Sequence, residues 1–262
     1  MAAWPEAVHP HQASWEGLAN FPIVWRHSSR ARHISLRLDP QLRGVVVTLP
    51  TGASRQMGHA FLASRMDWVT GALAKLPAPA LESGAVMVGG QRFALSDATE
   101  AALATTTLDR ANQTLFLKGA SAHKPRRLRD FLRAEAGRTF PALLAACAQG
   151  GHKNHGLPLL RPSSLALRDP TSRWGSCTRQ GRLMLSWRLI MAPPDVRDYV
   201  MAHELAHLHH FNHSAAFWHC CGQLHEAPWS SPEGARSSTR AHTLKEAEAW
   251  LRQNGLALHA MV

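Results

Sequence analysis

The sequence reads His203-Glu204-Leu205-Ala206-His207 in its last third, which is an HExxH pattern. Four residues make slightly more than one helical turn, so on a helix both imidazoles would project side by side and could bind one metal ion. Glu204 would then point toward a water activated by the ion and accept its proton. Composition alone would produce this pattern only about 0.04 times in a chain with 17 His and 10 Glu.

The residues before the pattern predict the helix that it needs. Ala192-Pro193-Pro194-Asp195 is typical of a helix start, because proline suits the first turn and an acidic residue complements the N-terminal dipole. We expect the helix to run from about Pro194 to His210. One face of it would then carry Val196, Tyr199, Val200, His203 and His207.

A catalytic zinc site needs three protein ligands and one open position. His213, six residues after His207, is the leading candidate for the third ligand. A carboxylate is the alternative, from one of Glu226, Glu246 or Glu248. Ligation by three histidines favours one zinc ion per chain, although other divalent metals such as cobalt or manganese suit the same ligands.

The spacing from His203 to His213 is also that of the metzincin proteases, which place a glycine between the second and third ligands. Here His210 occupies that position, and the only methionine after the pattern is Met261 at the far end. A metzincin is therefore disfavoured.

The composition sets the limits for the rest of the chain. Hydrophobic residues make up 45% of the 262 residues, which is enough for a sizeable core. The four cysteines show no CxxC spacing, so a cysteine-based zinc site is not expected. The net charge of +11 is spread over both halves of the chain, which is compatible with an anionic substrate or nucleic acid but does not establish either.

The beginning of the chain shows no secretory signal, since Pro5 and Pro10 interrupt it and no apolar stretch follows. No window approaches 18 consecutive apolar residues, so no membrane span is expected. With free cysteines, these features predict a cytoplasmic protein.

Three sections are predicted along the chain: a flexible extension over residues 1–21, a β-rich subdomain with helices over 22–122, and a compact core carrying the HExxH helix over 123–262. In the second section, a helix is expected from about Ser54 to Leu76. The strands expected there are Ile23–Trp25, Ile34–Leu38, Val45–Leu49, Ala85–Val88, Gln91–Leu95, Thr105–Asp109 and Thr114–Leu117.

The third section is predicted to begin with a helix from about Lys124 to Ala148, followed by a loop from Gly150 to Gly156. Ser164–Arg168 and Arg182–Leu189 are expected as strands, with a loop over Asp169–Cys177 between them. Arg126, Arg129 and Arg133 would share one face of the first helix, for which we favour a solvated surface over a binding role.

Several short runs resemble the YgjP-like metal-dependent hydrolases, a family of zincins related to the WLM and SprT-like metallopeptidases. The resemblance extends over about residues 22–255, and its N-terminal part includes Arg32–Leu36, Trp68 and Gly90. Its most specific runs are Arg173–Cys177, Leu185–Leu189, Ala192–Pro194, Tyr199-Val200, His203–Leu208, Asn212–Ser214 and Phe217-Trp218.

This resemblance implies an α+β fold in which an N-terminal β-rich subdomain with helices precedes a compact zincin-like core. It implies zinc bound by His203, His207 and His213, with Glu204 as the general base. It also implies that the loop Arg173–Cys177 flanks the substrate cleft, where an edge strand could receive an extended peptide. Residues 227–242 depart from the family as an insertion rich in Ser, Pro and Gly, which we interpret as a surface loop rather than a flap over the site.

Four residues are candidates for substrate contacts: Arg173, Trp174, Ser176 and His210. Arg173 would contact an anion or a carbonyl, although a structural salt bridge is an equal alternative. His210 is more simply explained as an exposed residue at a helix end. Cys177, next to these residues, is expected to pack rather than to react, because the sequence places no base beside it.

The sequence therefore favours a zinc-dependent peptidase that uses a metal-activated water, with a peptide or protein as substrate. A metal-dependent nucleoside triphosphate pyrophosphatase is one alternative, since arginine suits phosphate, although no glycine-rich phosphate loop is visible. A nucleic-acid-associated, SprT-like protease is another, suggested by the basic helix over residues 124–138. The oligomeric state stays open.

Overall fold

The computed structural model describes residues 20–98, 105–231, 234–236 and 241–262. Residues 1–19 of the predicted extension over residues 1–21 lie outside the described part of the chain. Within the described part, the chain is a mixed α+β structure with small sheets, and this confirms the predicted fold class. Contacts group these residues into two units, one up to Pro79 with His259–Met261, the other Ala80–Leu258 with Val262.

The first unit is built on a three-stranded sheet of β1 (Ile23–Ser28), β2 (Ser35–Asp39) and β3 (Gly44–Pro50). β3 lies in the middle, parallel to β1 and antiparallel to β2. The β-branched run in β3 supplies Val45 and Val47 to a core shared with Leu62 and Val69. The three expected strands are confirmed, with ends shifted by a few residues.

The single helix expected from Ser54 to Leu76 is wrong, because the chain forms two helices there, α1 (Arg55–Ala63) and α2 (Met66–Ala74). The Ser64 hydroxyl donates to the Phe61 carbonyl at 2.7 Å, and the Arg65 amide donates to the Leu62 carbonyl at 3.0 Å. These short-range bonds replace the helical ladder and end α1.

The second unit begins with the short helix α3 (Ala80–Ser83) and a four-stranded sheet. Its strands are β4 (Ala85–Val88), β5 (Gln91–Asp97), β6 (Thr107–Asp109) and β7 (Thr114–Leu117), in the order β4-β5-β7-β6. The four strands expected in this stretch are confirmed. The contacts group this sheet with the helices and strands that follow it. The domain boundary predicted after residue 122 stays a prediction.

A long helix, α4 (Lys124–His155), follows the sheet. It continues seven residues beyond the expected end at Ala148, so the prediction of a loop from Gly150 is wrong. Gly150 and Gly151 are buried in the helix, and a Cβ on Gly151 would lie 2.6 Å from Leu224. Gly151 thus allows a close approach of Leu224. Neither glycine breaks the helix, which ends at Gly156 with a left-handed φ of +67°.

The elements that hold the HExxH pattern come next. β8 (Ser164–Arg168), β9 (Gly175–Cys177) and β10 (Arg182–Ser186) form a sheet in the order β8-β10-β9, followed by α5 (Pro194–Ala206). The expected loop over Asp169–Cys177 is wrong in its last part, which is strand β9. The strand expected to reach Leu189 ends at Ser186, since Trp187–Met191 form a buried 3-10 helix.

The chain ends with α6 (Ala215–Glu226), β11 (Trp229–Ser231), β12 (Gly234–Arg236) and α7 (Leu244–Ala260). β11 and β12 pair as an antiparallel hairpin within the insertion 227–242, for which we expected a surface loop. Residues 232, 233 and 237–240 of the insertion lie outside the described part. Among the described helices, none combines the length and apolar character needed to cross a membrane.

Candidate metal centre and cleft

His203 and His207 lie one turn apart at the end of α5. The helix stops at Ala206, four residues before the predicted end at His210, and the His210 amide closes a last bond to the Ala206 carbonyl at 2.9 Å. The chain then turns back toward the helix. Ser214 begins α6 as its N-cap, accepting a hydrogen bond from the Phe217 amide at 3.4 Å.

This turn brings His213 to the two helical histidines. One ring nitrogen from each of His203, His207 and His213 lies within 4.8 Å of the others, and the Nε2 atoms of His203 and His213 are 3.2 Å apart. Two nitrogens that bind one tetrahedral zinc ion at about 2.0–2.1 Å stand about 3.3 Å apart. The three imidazoles therefore fit a divalent ion. Within the described residues, the donor groups that lie close enough together to share an ion are these three histidines. The alternative carboxylates Glu226, Glu246 and Glu248 are not among them.

Neighbouring groups orient the imidazoles. His207 Nδ1 lies 3.0 Å from the His210 carbonyl, which can only accept, so the proton lies on Nδ1 and Nε2 keeps its lone pair for a metal. Phe217 is fully buried beneath the cluster, with its ring centre 4.6–4.9 Å from those of the three imidazoles. Trp218 stacks on His213 at 5.8 Å. The aromatic pair thus supports His213, the ligand that follows the turn after α5.

The surroundings of His203 and His207 favour the neutral form of these two imidazoles. Burial lowers the pKa of His203 to about 4, and the nearby His207 and His213 contribute in the same direction. Burial also lowers the pKa of His207, with His213 adding to the effect. Since a metal binds the neutral imidazole, these two side chains need not lose a proton to bind an ion at neutral pH.

Glu204 lies behind the cluster and is almost completely buried. Burial raises the pKa of its carboxyl group to about 7, and the positive charge of Arg173 partly offsets this rise. A base with such a pKa can both accept and release a proton near neutral pH, which is the property required of a general base that later acts as an acid.

Gly175 on β9 leaves the space that the Glu204 carboxylate occupies. A Cβ at Gly175 would stand 2.5 Å from Oε1 of Glu204 and 2.6 Å from its Cγ. Such contacts are far inside van der Waals distance, so any larger residue must displace the carboxylate. Gly175 on β9 therefore determines the position of the Glu204 carboxylate. The sequence alone did not indicate this role for Gly175.

We expect Gly175→Ala to lower kcat of the metal-loaded protein by about 10- to 100-fold, because an added methyl group moves Glu204 by a large fraction of an ångström. The metal content should stay unchanged, since the three atoms nearest to the added Cβ all belong to Glu204 and none to a histidine. Gly137→Ala on α4 is the matched control, because nothing lies within 4 Å of its added Cβ. Equal activity of both variants would show that the carboxylate has room to relax.

A cavity of about 360 Å³ opens beside Glu204 and His203. Two of the predicted substrate contacts, Arg173 and Trp174, lie in its wall together with Gly175. Its remaining lining residues were not predicted as substrate contacts, although Glu248 was an alternative metal ligand: Tyr199, Val200, Glu248, Leu251 and Arg252. Tyr199 and Val200 precede His203 by about one turn of α5. Their position on the same helix face as His203 could have identified them as cleft residues. The other three lie on α7, which no local pattern connects to the site.

The remaining predicted contacts lie elsewhere. Ser176 is on β9, opposite Met184 of β10. His210 contributes its carbonyl to His207, while its ring packs against His209 with centres 4.6 Å apart. Cys177 ends β9, and burial raises the pKa of its thiol to about 11, with the charge of Glu204 adding to the rise. It is therefore protonated at neutral pH, in agreement with a packing role.

The raised pKa of Glu204 predicts how the chelator-treated protein depends on pH. Unfolding lowers this pKa from about 7 to its ordinary value of 4.5, so the contribution of Glu204 to stability is full below pH 4.5 and is lost as the pH rises through 7. Glutamine resembles the protonated acid at every pH. Glu204→Gln should therefore match the wild type in urea unfolding at pH 4.5 and exceed it at pH 8. A stability difference that does not change with pH would contradict the buried, unpaired state of the carboxylate.

Comparison with known families adds one finding. The family model described as YgjP-like, metallopeptidase domain, matches residues 32–233, which is well over half of the chain. The matched range includes the three histidines, Glu204 and strand β9. No curated protein and no solved structure shows a significant match.

Proposed function

Since the chain belongs to the YgjP-like metallopeptidase family and carries the three-histidine cluster of a metal-dependent hydrolase, we propose that it cleaves peptide bonds with one bound zinc ion. The observation that carries this proposal is the convergence of His203, His207 and His213, with Glu204 buried beside them. A three-histidine site leaves a fourth position open, as catalytic zinc requires.

The chain's own groups have separate tasks in this reaction. The three imidazoles would hold the ion. The His210 carbonyl orients one of them by accepting a hydrogen bond from His207 Nδ1, and Phe217 packs against all three rings. The chemistry that zinc would supply there is a lowered pKa of water, toward 7, and polarisation of a peptide carbonyl. The Glu204 carboxylate takes a proton from the attacking water and delivers it to the departing amine.

The substrate would reach this base along β9. β9 is an edge strand, because β10 pairs with only one of its sides in the described sheet. An extended peptide can therefore pair with its free side, and the contact of Gly175 with Glu204 would bring the peptide close to the base. Arg173 lies in the cleft wall and is placed to contact a peptide carbonyl or an acidic side chain.

The test combines metal analysis with peptide cleavage. We expect about one zinc ion per chain by elemental analysis, and cleavage products from casein or a peptide library by mass spectrometry. A chelator should abolish the cleavage, and stoichiometric zinc should restore it. A protein that carries one zinc ion per chain and still cleaves no peptide would contradict the proposal.

A nucleoside triphosphate is the second candidate substrate, because Arg173 and Arg252 both line the cleft and suit phosphate oxygens. In that case the same base and ion would act on a phosphorus centre. Release of pyrophosphate or phosphate from a panel of nucleotides separates the two candidates. Turnover of nucleotides without peptide cleavage would favour the pyrophosphatase over the peptidase. If no nucleotide in the panel is hydrolysed, the pyrophosphatase is excluded.

A nucleic acid is the third candidate, as a partner rather than a substrate. Arg126, Arg129 and Arg133 are exposed along one side of α4. Binding that depends on phosphate contacts weakens steeply with salt. We would measure the affinity of labelled single-stranded DNA over a range of salt for the wild type and for Arg126→Gln with Arg129→Gln. An equal affinity and an equal salt slope would exclude this face as a binding surface.

A further inference from the structure

A second cavity, of about 550 Å³, lies within the unit Ala80–Leu258 and shares no lining residue with the cleft beside the metal cluster. Parts of β4, β5, α4 and α5 surround it. Its polar lining comes from Arg110, Glu135, Arg138 and Arg197, with Gln91 and Thr139. Neither the hydrolytic reaction nor the peptide path along β9 uses this cavity.

The only acidic group in the lining is Glu135, and its side chain is 5% exposed. Arg110 donates from Nη2 to its Oε1 at 3.2 Å, and Arg138 donates to its Oε2. Both carboxylate oxygens are therefore occupied by guanidinium groups. One guanidinium is sufficient to neutralise a carboxylate, so the pair leaves one positive charge in excess at this point.

Arg197 adds a third guanidinium from α5 and is 1% exposed. Its Nε lies 3.5 Å from the Asp198 carboxylate, which is buried and outside the cavity lining. Asp198 therefore offsets the charge of Arg197, and the positive charge in excess at the cavity comes from Arg110 and Arg138 against Glu135. Arg110 and Arg138 keep more than half of their side-chain surface exposed, so their remaining N–H groups stay accessible to a ligand.

The rest of the lining is apolar, with Val88, Ala142, Leu143, Ile190 and Pro194. The volume falls within the range of pockets that take small molecules, and such pockets combine an apolar wall with a few polar groups that fix the orientation. Guanidinium groups recognise carboxylate and phosphate oxygens through paired N–H donors. The lining therefore suits a ligand with one oxyanion group on an apolar body.

We propose that this cavity is a binding site for a small organic oxyanion, with Arg110 and Arg138 holding the anionic group and the α4 side of the wall contacting the apolar body. The site is separate from the catalytic cleft, and its occupation does not depend on which substrate the metal centre hydrolyses.

Phenyl phosphate is a suitable probe, because it joins an oxyanion to an apolar ring. We expect calorimetry on the zinc-loaded protein to show binding of phenyl phosphate, with weaker binding of inorganic phosphate and no binding of phenol. Arg138→Gln should weaken the binding by about tenfold or more, since it removes a charged donor. Ala142→Trp should weaken it to a similar degree by filling the cavity, while every charge stays in place.

Two controls separate this cavity from the metal, which also attracts phosphate. His213→Ala disrupts the metal cluster and should keep the binding of phenyl phosphate at this cavity. Lys153→Gln removes a charge from an exposed residue of the same helix outside the lining, and it should leave the affinity for phenyl phosphate unchanged. The proposal is overturned if phenyl phosphate does not bind, if Arg138→Gln and Ala142→Trp both bind it as the wild type does, or if His213→Ala alone removes the binding.

Discussion

Glu204→Gln is expected to lower kcat/KM for peptide hydrolysis by about 100- to 10,000-fold, which is the usual contribution of a general acid or base. Glutamine keeps the size and shape of the side chain but cannot accept a proton. The metal should stay bound at one ion per chain, since Glu204 is not in the three-histidine cluster. The rate with a fluorogenic peptide, together with zinc content by elemental analysis, measures both effects on one sample.

Urea unfolding of the same variant separates loss of activity from unfolding, because replacing the buried carboxylate by an amide should leave the protein at least as stable as the wild type. Glu226→Gln is the matched control, since Glu226 is exposed at the end of α6. It should retain the wild-type rate. A Glu204→Gln protein with full activity would remove Glu204 from the proton transfer and direct attention to Glu248 in the cleft wall.

Local signals in the sequence were sufficient for the elements that carry the metal centre. The proline pair and Asp195 mark the start of α5, and helical spacing then places His203 and His207 on one face. The β-branched run Val45–Val47 likewise predicts β3, which lies at the centre of its sheet. These features depend on residues a few positions apart, which is the range over which a sequence pattern has a direct physical meaning.

The features that the sequence did not predict depend on contacts between distant residues. The glycines at 150 and 151 signal a turn by themselves, yet both lie inside α4, where Leu224 packs closely against Gly151. Gly175 looks like a loop residue until Glu204 is placed beside it. α5 ends at Ala206, where the turn that returns His213 to the cluster begins. No residue within the helix predicts this end.

His213→Ala is expected to weaken zinc binding by more than about 100-fold, since even the outer hydrogen-bonding partners of metal ligands contribute 10- to 100-fold to affinity. His213 is the ligand candidate most exposed to solvent, and its loss leaves only His203 and His207 of the cluster to hold an ion. The zinc content after dialysis and competition with a chromophoric chelator give the affinity. Peptide hydrolysis should fall with the metal occupancy.

Thermal unfolding provides a second readout that does not require activity. An ion that binds only the folded chain stabilises it by about 4 kcal/mol when its free concentration is 1,000 times the Kd. The wild type should therefore melt at a clearly higher temperature with zinc than with a chelator, and His213→Ala should show a much smaller difference. His219→Ala is the matched control, because His219 is exposed on α6 and outside the cluster. If His213→Ala kept both the wild-type affinity and the wild-type zinc-dependent stabilisation, a carboxylate such as Glu248 would have to supply the third ligand, and the turn after α5 would lose its assigned role.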